Sequence, residues 1–156
     1  MLQGRRKARS LALQALYEID CAEHPVEDVI GARLDTEALS NRDRRFVRDL
    51  VVGVARHREK LDTLIHQYAP EWPVSQMAII DRNILRMAIY ELAISQGTPL
   101  KVVINEAVEL GKMYGSDSTP RFINGVLGTL VSHYNELMDM FAEERQSASE
   151  DSSDQT

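Results

Sequence analysis

Residues 79–95 read IIDRNILRMAIYELAIS. The segment contains neither Pro nor Gly, and on a wheel of 100° per residue its apolar side chains cover most of the circumference. Arg82, Asn83, Arg86 and Tyr90 are confined to one side. The pattern predicts a central, mostly buried helix, and its neighbours in the chain repeat the same periodicity. No segment alternates long enough to read as a strand, so the fold class is all-α.

Upstream, Pro70 and Pro73 end a stripe of Phe46, Val47, Leu50, Val54, Leu61, Leu64, Ile65 and Tyr68, about seven turns long with a polar interruption at His57. Ser40 with Asp43 three residues later resembles a capping box at its start. Further back, Pro25 precedes a short helix over 26–33, and Ala8, Leu11, Ala12, Ala15, Leu16 and Ile19 define an amphipathic helix over 5–20. Downstream, Gly97 and Pro99 punctuate a turn before a helix carrying Val103, Ile104, Ala107, Val108 and Leu110, with Gly115 at its C-cap. A last helix opens with Thr119 as N-cap and Pro120 in the first turn, and its stripe runs unbroken to Phe141. No internal repeat is visible.

A chain of 156 residues with 44% hydrophobic and 27% charged side chains suits one ordinary domain with a core of its own. No apolar run approaches the roughly 20 residues of a bilayer span, and the first residues lack a signal peptide's apolar stretch, which argues for a soluble cytoplasmic protein. Cys21 has no second cysteine to pair with and is expected to behave as a small buried or half-buried hydrophobe. The net charge of −6 is unevenly spread: residues 1–60 hold 12 bases against 10 acids, and residues 61–156 hold 6 against 14. Arg5, Arg6, Lys7 and Arg9 precede every acid, and seven further bases lie over 42–60. Both clusters read as binding faces. The segment 143–156, EERQSASEDSSDQT, has almost no apolar side chain and is expected to be an acidic disordered tail beyond a domain of 1–142.

The side chains outside the core stripes are the informative ones. Arg6, Ser10, Leu13, Gln14 and Tyr17 line the side of the first helix opposite its stripe, with Arg6 and Tyr17 about 16 Å apart on one ridge. Cations for phosphates, planar groups for unpaired bases and an amide for base edges are the residue types that RNA recognition needs. Phe122 lies about 100° from the stripe of its helix, in a first turn where free N–H groups attract anions. It either offers its ring to a base or packs on a neighbouring helix. Tyr68, inside a core stripe, reads as core. Asp81 and Glu91 stand among apolar positions of the central helix and need partners there. Lys101, Arg82, Arg86 or a free backbone N–H could serve, unless the two carboxylates mark a protein-binding edge.

No catalytic constellation is found. His24, His57, His66 and His133 all lack a Glu three residues before them, and the chain has no P-loop, G-x-G-x-x-G or G-x-S-x-G. No metal, cofactor or enzymatic activity is expected.

Taken in order, several blocks resemble the NusB family of bacterial transcription antitermination factors over residues 4–140. They are Arg5-Arg6-Lys7-Ala8-Arg9 with Gln14-Ala15-Leu16-Tyr17, then Phe46 with Gly53-Val54, then Ile84-Leu85-Arg86-Met87-Ala88-Ile89-Tyr90-Glu91-Leu92. Pro99 through Val103, Ile104-Asn105-Glu106-Ala107-Val108-Glu109-Leu110 and Phe122-Ile123-Asn124-Gly125-Val126-Leu127 complete the series. The resemblance implies a bundle of about seven helices in two subdomains, a reading the helical periodicity shares. It also implies a non-catalytic factor that binds boxA RNA with ribosomal protein NusE in an antitermination complex on RNA polymerase. Carried onto matching positions, the RNA surface comprises Arg5, Arg6, Lys7, Arg9, Gln14, Tyr17, Tyr68 and Phe122, and Asp81 and Arg86 face the protein partner or RNA. Ser118 and Pro120 depart from the family pattern in their loop, and the acidic tail is extra. A homodimer is possible for the free protein. The rival readings are a helical adaptor that binds protein only and a separate RNA-binding subunit of an rRNA-modifying enzyme.

Overall fold

The computed structural model describes residues 2–153. In chain order the helices are α1 (Leu2–Ala22), α2 (Val26–Leu34), α3 (Asn41–Arg56), α4 (Arg58–Tyr68), α5 (Ile79–Tyr90), α6 (Leu100–Tyr114), α7 (Thr119–Val131), α8 (Tyr134–Met140) and α9 (Ala142–Ser153). A 3-10 turn, Val74–Gln76, precedes α5, and a π turn, Glu91–Ser95, extends it. No strand occurs among the described residues.

α1, α2 and α3 pack pairwise into one group, α6 pairs with α7, and α5 touches both groups. Apolar side chains from both merge into one core, so the two parts share their interior. α1 contributes Ala8, Leu11, Ala12, Ala15 and Leu16 as its spacing predicts, but Leu13 and Ser10 are buried as well. Contacts with α2, α3 and α5 surround more of α1 than a one-sided stripe requires. α5 is buried along nearly its whole length, including the polar side expected from the wheel: Asn83, Arg86 and Tyr90 are all covered.

Local chemistry sets the helix ends. Ser40 accepts a hydrogen bond from the Asp43 N–H at 3.1 Å, a side-chain N-cap for α3. The long stripe divides at His57, whose backbone leaves the helical region. The stripe expected to run to Phe141 also divides, at Ser132 and His133. There the Ser132 hydroxyl donates to the Thr129 carbonyl at 2.6 Å and the His133 ring sits 3.0 Å from the same oxygen. Such local bonds compete with the helical ladder. Gly53 allows a close approach: a Cβ there would lie 2.2 Å from the Tyr90 ring, so α3 and α5 pack through a glycine and an aromatic face. Cys21, expected to be buried or half-buried, is exposed in the last turn of α1.

The expected disordered tail is corrected for 143–153. These residues continue α9, which is tied down by Lys60 Nζ to Glu144 at 2.5 Å and by Arg145 donating to the Ala93 carbonyl at 3.0 Å. Phe141, fully buried, anchors the start of α9 under the Lys60 ammonium. Residues 154–156, also part of that expectation, lie outside the described residues.

Candidate nucleic-acid interface

The basic opening of α1 divides by burial. Arg9 is 3% exposed, and its guanidinium forms a fork with Glu91 at 2.7 and 2.9 Å, with Thr98 beyond. It therefore cannot reach RNA in this structure, which corrects its assignment to that surface. A buried cation requires a paired anion, and Glu91 in the π turn supplies it. The same bond settles the partner of Glu91, which is Arg9 and not a lysine or arginine of its own neighbourhood.

Arg5 lies over the Phe46 ring at 4.0 Å and pairs with Asp43 at 3.2 Å, leaving it half-buried. Arg6 is more open but donates twice to Glu106, at 3.0 and 2.9 Å. Those hydrogen bonds, followed by the charge of Glu106, raise the pKa of Arg6. Lys7 is exposed and reaches Glu37 at 3.1 Å. The Lys7–Glu37 pair is exposed at both ends and so weakly held, whereas Glu106 is buried and keeps the Arg6 guanidinium fixed at one edge while its other face stays open.

Farther along the ridge, Gln14 donates to the Tyr114 hydroxyl at 3.2 Å and accepts from Arg33 at 3.2 Å. The Tyr114 hydroxyl also bonds Ser10. Tyr17, one turn beyond Gln14, is 40% exposed, and Tyr114 is 36% exposed. Two phenols, an amide and a guanidinium thus share one patch of α1, α2 and α6. Tyr114 and Arg33 were not singled out in the sequence, because only tertiary packing brings them to α1.

A second aromatic group gathers at the start of α7. Phe122 is half-buried, with its ring edge-on to Trp72 at 6.3 Å between centroids and 77° between planes. One side of the ring packs on Trp72 and another borders a cleft. Tyr68 is half-buried too: its hydroxyl donates to Glu136 at 3.1 Å and its ring tilts against His133. Burial, then the Glu136 carboxylate, push its pKa up, so it stays a neutral phenol. The cleft, of about 320 Å³, is lined by Tyr68, Trp72, Arg121, Phe122, Gly125 and Thr129 among others. Trp72 lies between Pro70 and Pro73, outside every helical stripe. Its signal was a large aromatic in a loop.

Asp81 accepts from Thr119 at 2.8 Å, and Thr119 in turn accepts from the Ser116 N–H at 3.0 Å. This joins the start of α5 to the loop before α7 and leaves Asp81 half-buried. Arg86 is only 2% exposed and is held by Asp62 at 2.7 and 2.8 Å, by Asp20 at 3.1 Å and by Asn83. It is a buried tie between α1, α4 and α5, not a partner-facing residue, which corrects that expectation. Among the described residues no group of three or more His, Cys, Asp or Glu is placed to hold a metal, and no helix is long and apolar enough to cross a membrane.

Residues 6–132 match the NusB family model. A transcription antitermination protein NusB from Roseiflexus castenholzii is 52% identical, over 87% of this chain and 97% of its own length. One from Chloroflexus aggregans is 48% identical over 83% of this chain and 88% of its own. Among solved structures, T. maritima NusB superposes with a TM-score of 0.74 at 27% identity, covering 86% of this chain and 90% of that one. A crystal structure of antitermination factors NusB and NusE in complex with dsRNA has a TM-score of 0.78 at 24% identity, covering 86% and 100%, a likeness of fold. The family match spans the basic end of α1, the buried α5 and the cleft at the start of α7, and the chain belongs to the NusB family.

Proposed function

We propose that this chain is a non-catalytic RNA-binding factor that, with ribosomal protein NusE, binds boxA RNA and promotes antitermination of ribosomal RNA transcription as part of a complex on RNA polymerase. The observation that carries the reading is the ridge where Gln14, Tyr17 and Tyr114 meet on the same helix face as the solvent-accessible cations Arg6 and Lys7. It combines the three residue types that unpaired RNA requires. The relatives named transcription antitermination proteins support the biological role, and the solved complex of a NusB with NusE and RNA supports the choice of partners. The acidic balance of residues 61–156 suits a basic ribosomal protein, which leaves the α1 face for RNA.

RNA and NusE then bind cooperatively, each improving the other's affinity by the same factor. Calorimetric titration of boxA RNA into the protein, with and without NusE, reads that factor directly. Equal RNA affinity in both titrations contradicts the ternary complex, and binding of NusE alone with no RNA affinity favours an adaptor that binds protein only.

A further inference from the structure

The Trp72 loop is built to be rigid while its side chain stays open. α4 ends at Tyr68, the Trp72 N–H donates to the Ala69 carbonyl at 3.1 Å, and the Gln76 N–H donates to the Pro73 carbonyl at 2.9 Å. Arg82 holds the following turn by donating to the Val74 and Ser75 carbonyls. Pro70 and Pro73 restrict the backbone on both sides. Yet Trp72 is 59% exposed, with no hydrogen bond to its indole among the described residues. Phe122 meets one side of it edge-on at 6.3 Å between centroids, and the cleft beside them is open over Gly125, where an added Cβ would meet nothing within 4 Å. Arg121, beside Phe122 on the rim, is exposed and has no ion-pair partner among the described residues.

We propose that Trp72 is an RNA-binding residue and that the cleft of Trp72, Phe122 and Gly125 receives one unpaired base, with Arg121 meeting its phosphate. The inference rests on the RNA-binding reading above and adds to it the residue on which the base stacks. An indole face gives stacking without regard to base identity, a guanidinium supplies the charge, and the pre-formed loop avoids ordering cost on binding. An aliphatic partner side chain would need no cation on the rim, and a duplex has no free base to insert.

The chain has one tryptophan, so its emission reports this cleft alone. The protein is titrated with a single-stranded boxA RNA, with the same sequence as a full duplex, and with NusE. Binding is followed in parallel by the anisotropy of end-labelled RNA. Single-stranded RNA should quench Trp72, and the duplex and NusE should not. Trp72→Ala should weaken single-strand binding by about 5- to 100-fold, and Trp72→Phe should keep most of it. Gly125→Leu fills the cleft from an exposed helical position with open space above it, so it should fold normally, lose the quench and bind as weakly as Trp72→Ala. RNA that binds by anisotropy with unchanged Trp72 emission and full affinity in Trp72→Ala overturns the cleft and leaves the RNA reading intact. Quenching by NusE and not by RNA assigns the cleft to a protein partner and also overturns the proposal. Absence of any RNA binding by the unaltered protein removes the RNA reading itself and this inference with it.

Discussion

At the scale of single residues, the basic end of α1 shows how one sequence cluster divides into two jobs. Arg9 and Lys7 are two positions apart, but Arg9 is sealed against Glu91 and Lys7 stands in solvent beside Glu37. Arg9→Ala strands a buried carboxylate and should cost about 3–5 kcal/mol of folding stability, while the folded fraction keeps its RNA affinity. Lys7→Ala should change stability by less than about 1 kcal/mol and lower the salt slope of RNA binding by up to roughly 0.7. A denaturant melt and a salt series on each variant check the split; the reverse pattern would place Arg9 on the RNA. This division was not legible in the sequence. Helical phase shows which way a side chain points from its own axis, whereas the partner of Arg9 lies 82 residues away, in a turn whose course only the packed fold determines. Arg86 was misread for the same reason, because Asp20 and Asp62 come to it from two other helices.

At the scale of elements, the sequence located α1, α2, α5 and α6 closely, since each carries an apolar stripe bounded by a proline or glycine, but it ran α7 and α8 together because their apolar stripe continues past the local bonds at Ser132 and His133. α9 was missed because nothing in EERQSASEDSSDQT marks a buried face. Its order comes from Glu144 and Arg145 reaching Lys60 and the Ala93 carbonyl, which are tertiary contacts. Cutting the chain after Ala142 removes both and changes the net charge from −6 to −2. The shortened protein should still fold cooperatively, with a stability loss of about 1–3 kcal/mol, seen as a modest drop in melting temperature. An unchanged melt would show that α9 adds nothing to the bundle, and loss of folding would show that it belongs to the core.

For the whole molecule, buried charge links the parts that apolar packing brings together. Burial disfavours the charged form of Asp20, but hydrogen bonds from Arg82 and Asn83 and the charges of Arg86 and Arg82 outweigh it, holding the carboxyl at about 2 against 3.8. A carboxylate whose pKa is lowered by folding stabilises the protein above its unfolded pKa. The unfolded chain takes up a proton first as the pH falls, so that stability drains away between about 3.8 and about 2. Urea melts over this interval should show the loss, and Asp20→Asn should flatten it while weakening the protein at neutral pH. A wild-type slope in Asp20→Asn would assign the acid sensitivity to other carboxylates. The same architecture leaves cations on the α1 ridge and at the cleft open to solvent, under a net charge that is negative. Equilibrium binding of single-stranded boxA RNA across a series of salt concentrations tests that claim most directly. The account predicts specific binding whose log affinity falls linearly with log salt, with a slope of about −2 or steeper, as expected for three or more phosphate contacts at roughly 0.7 each. Undetectable binding at low salt, or an affinity that salt does not change, would contradict it.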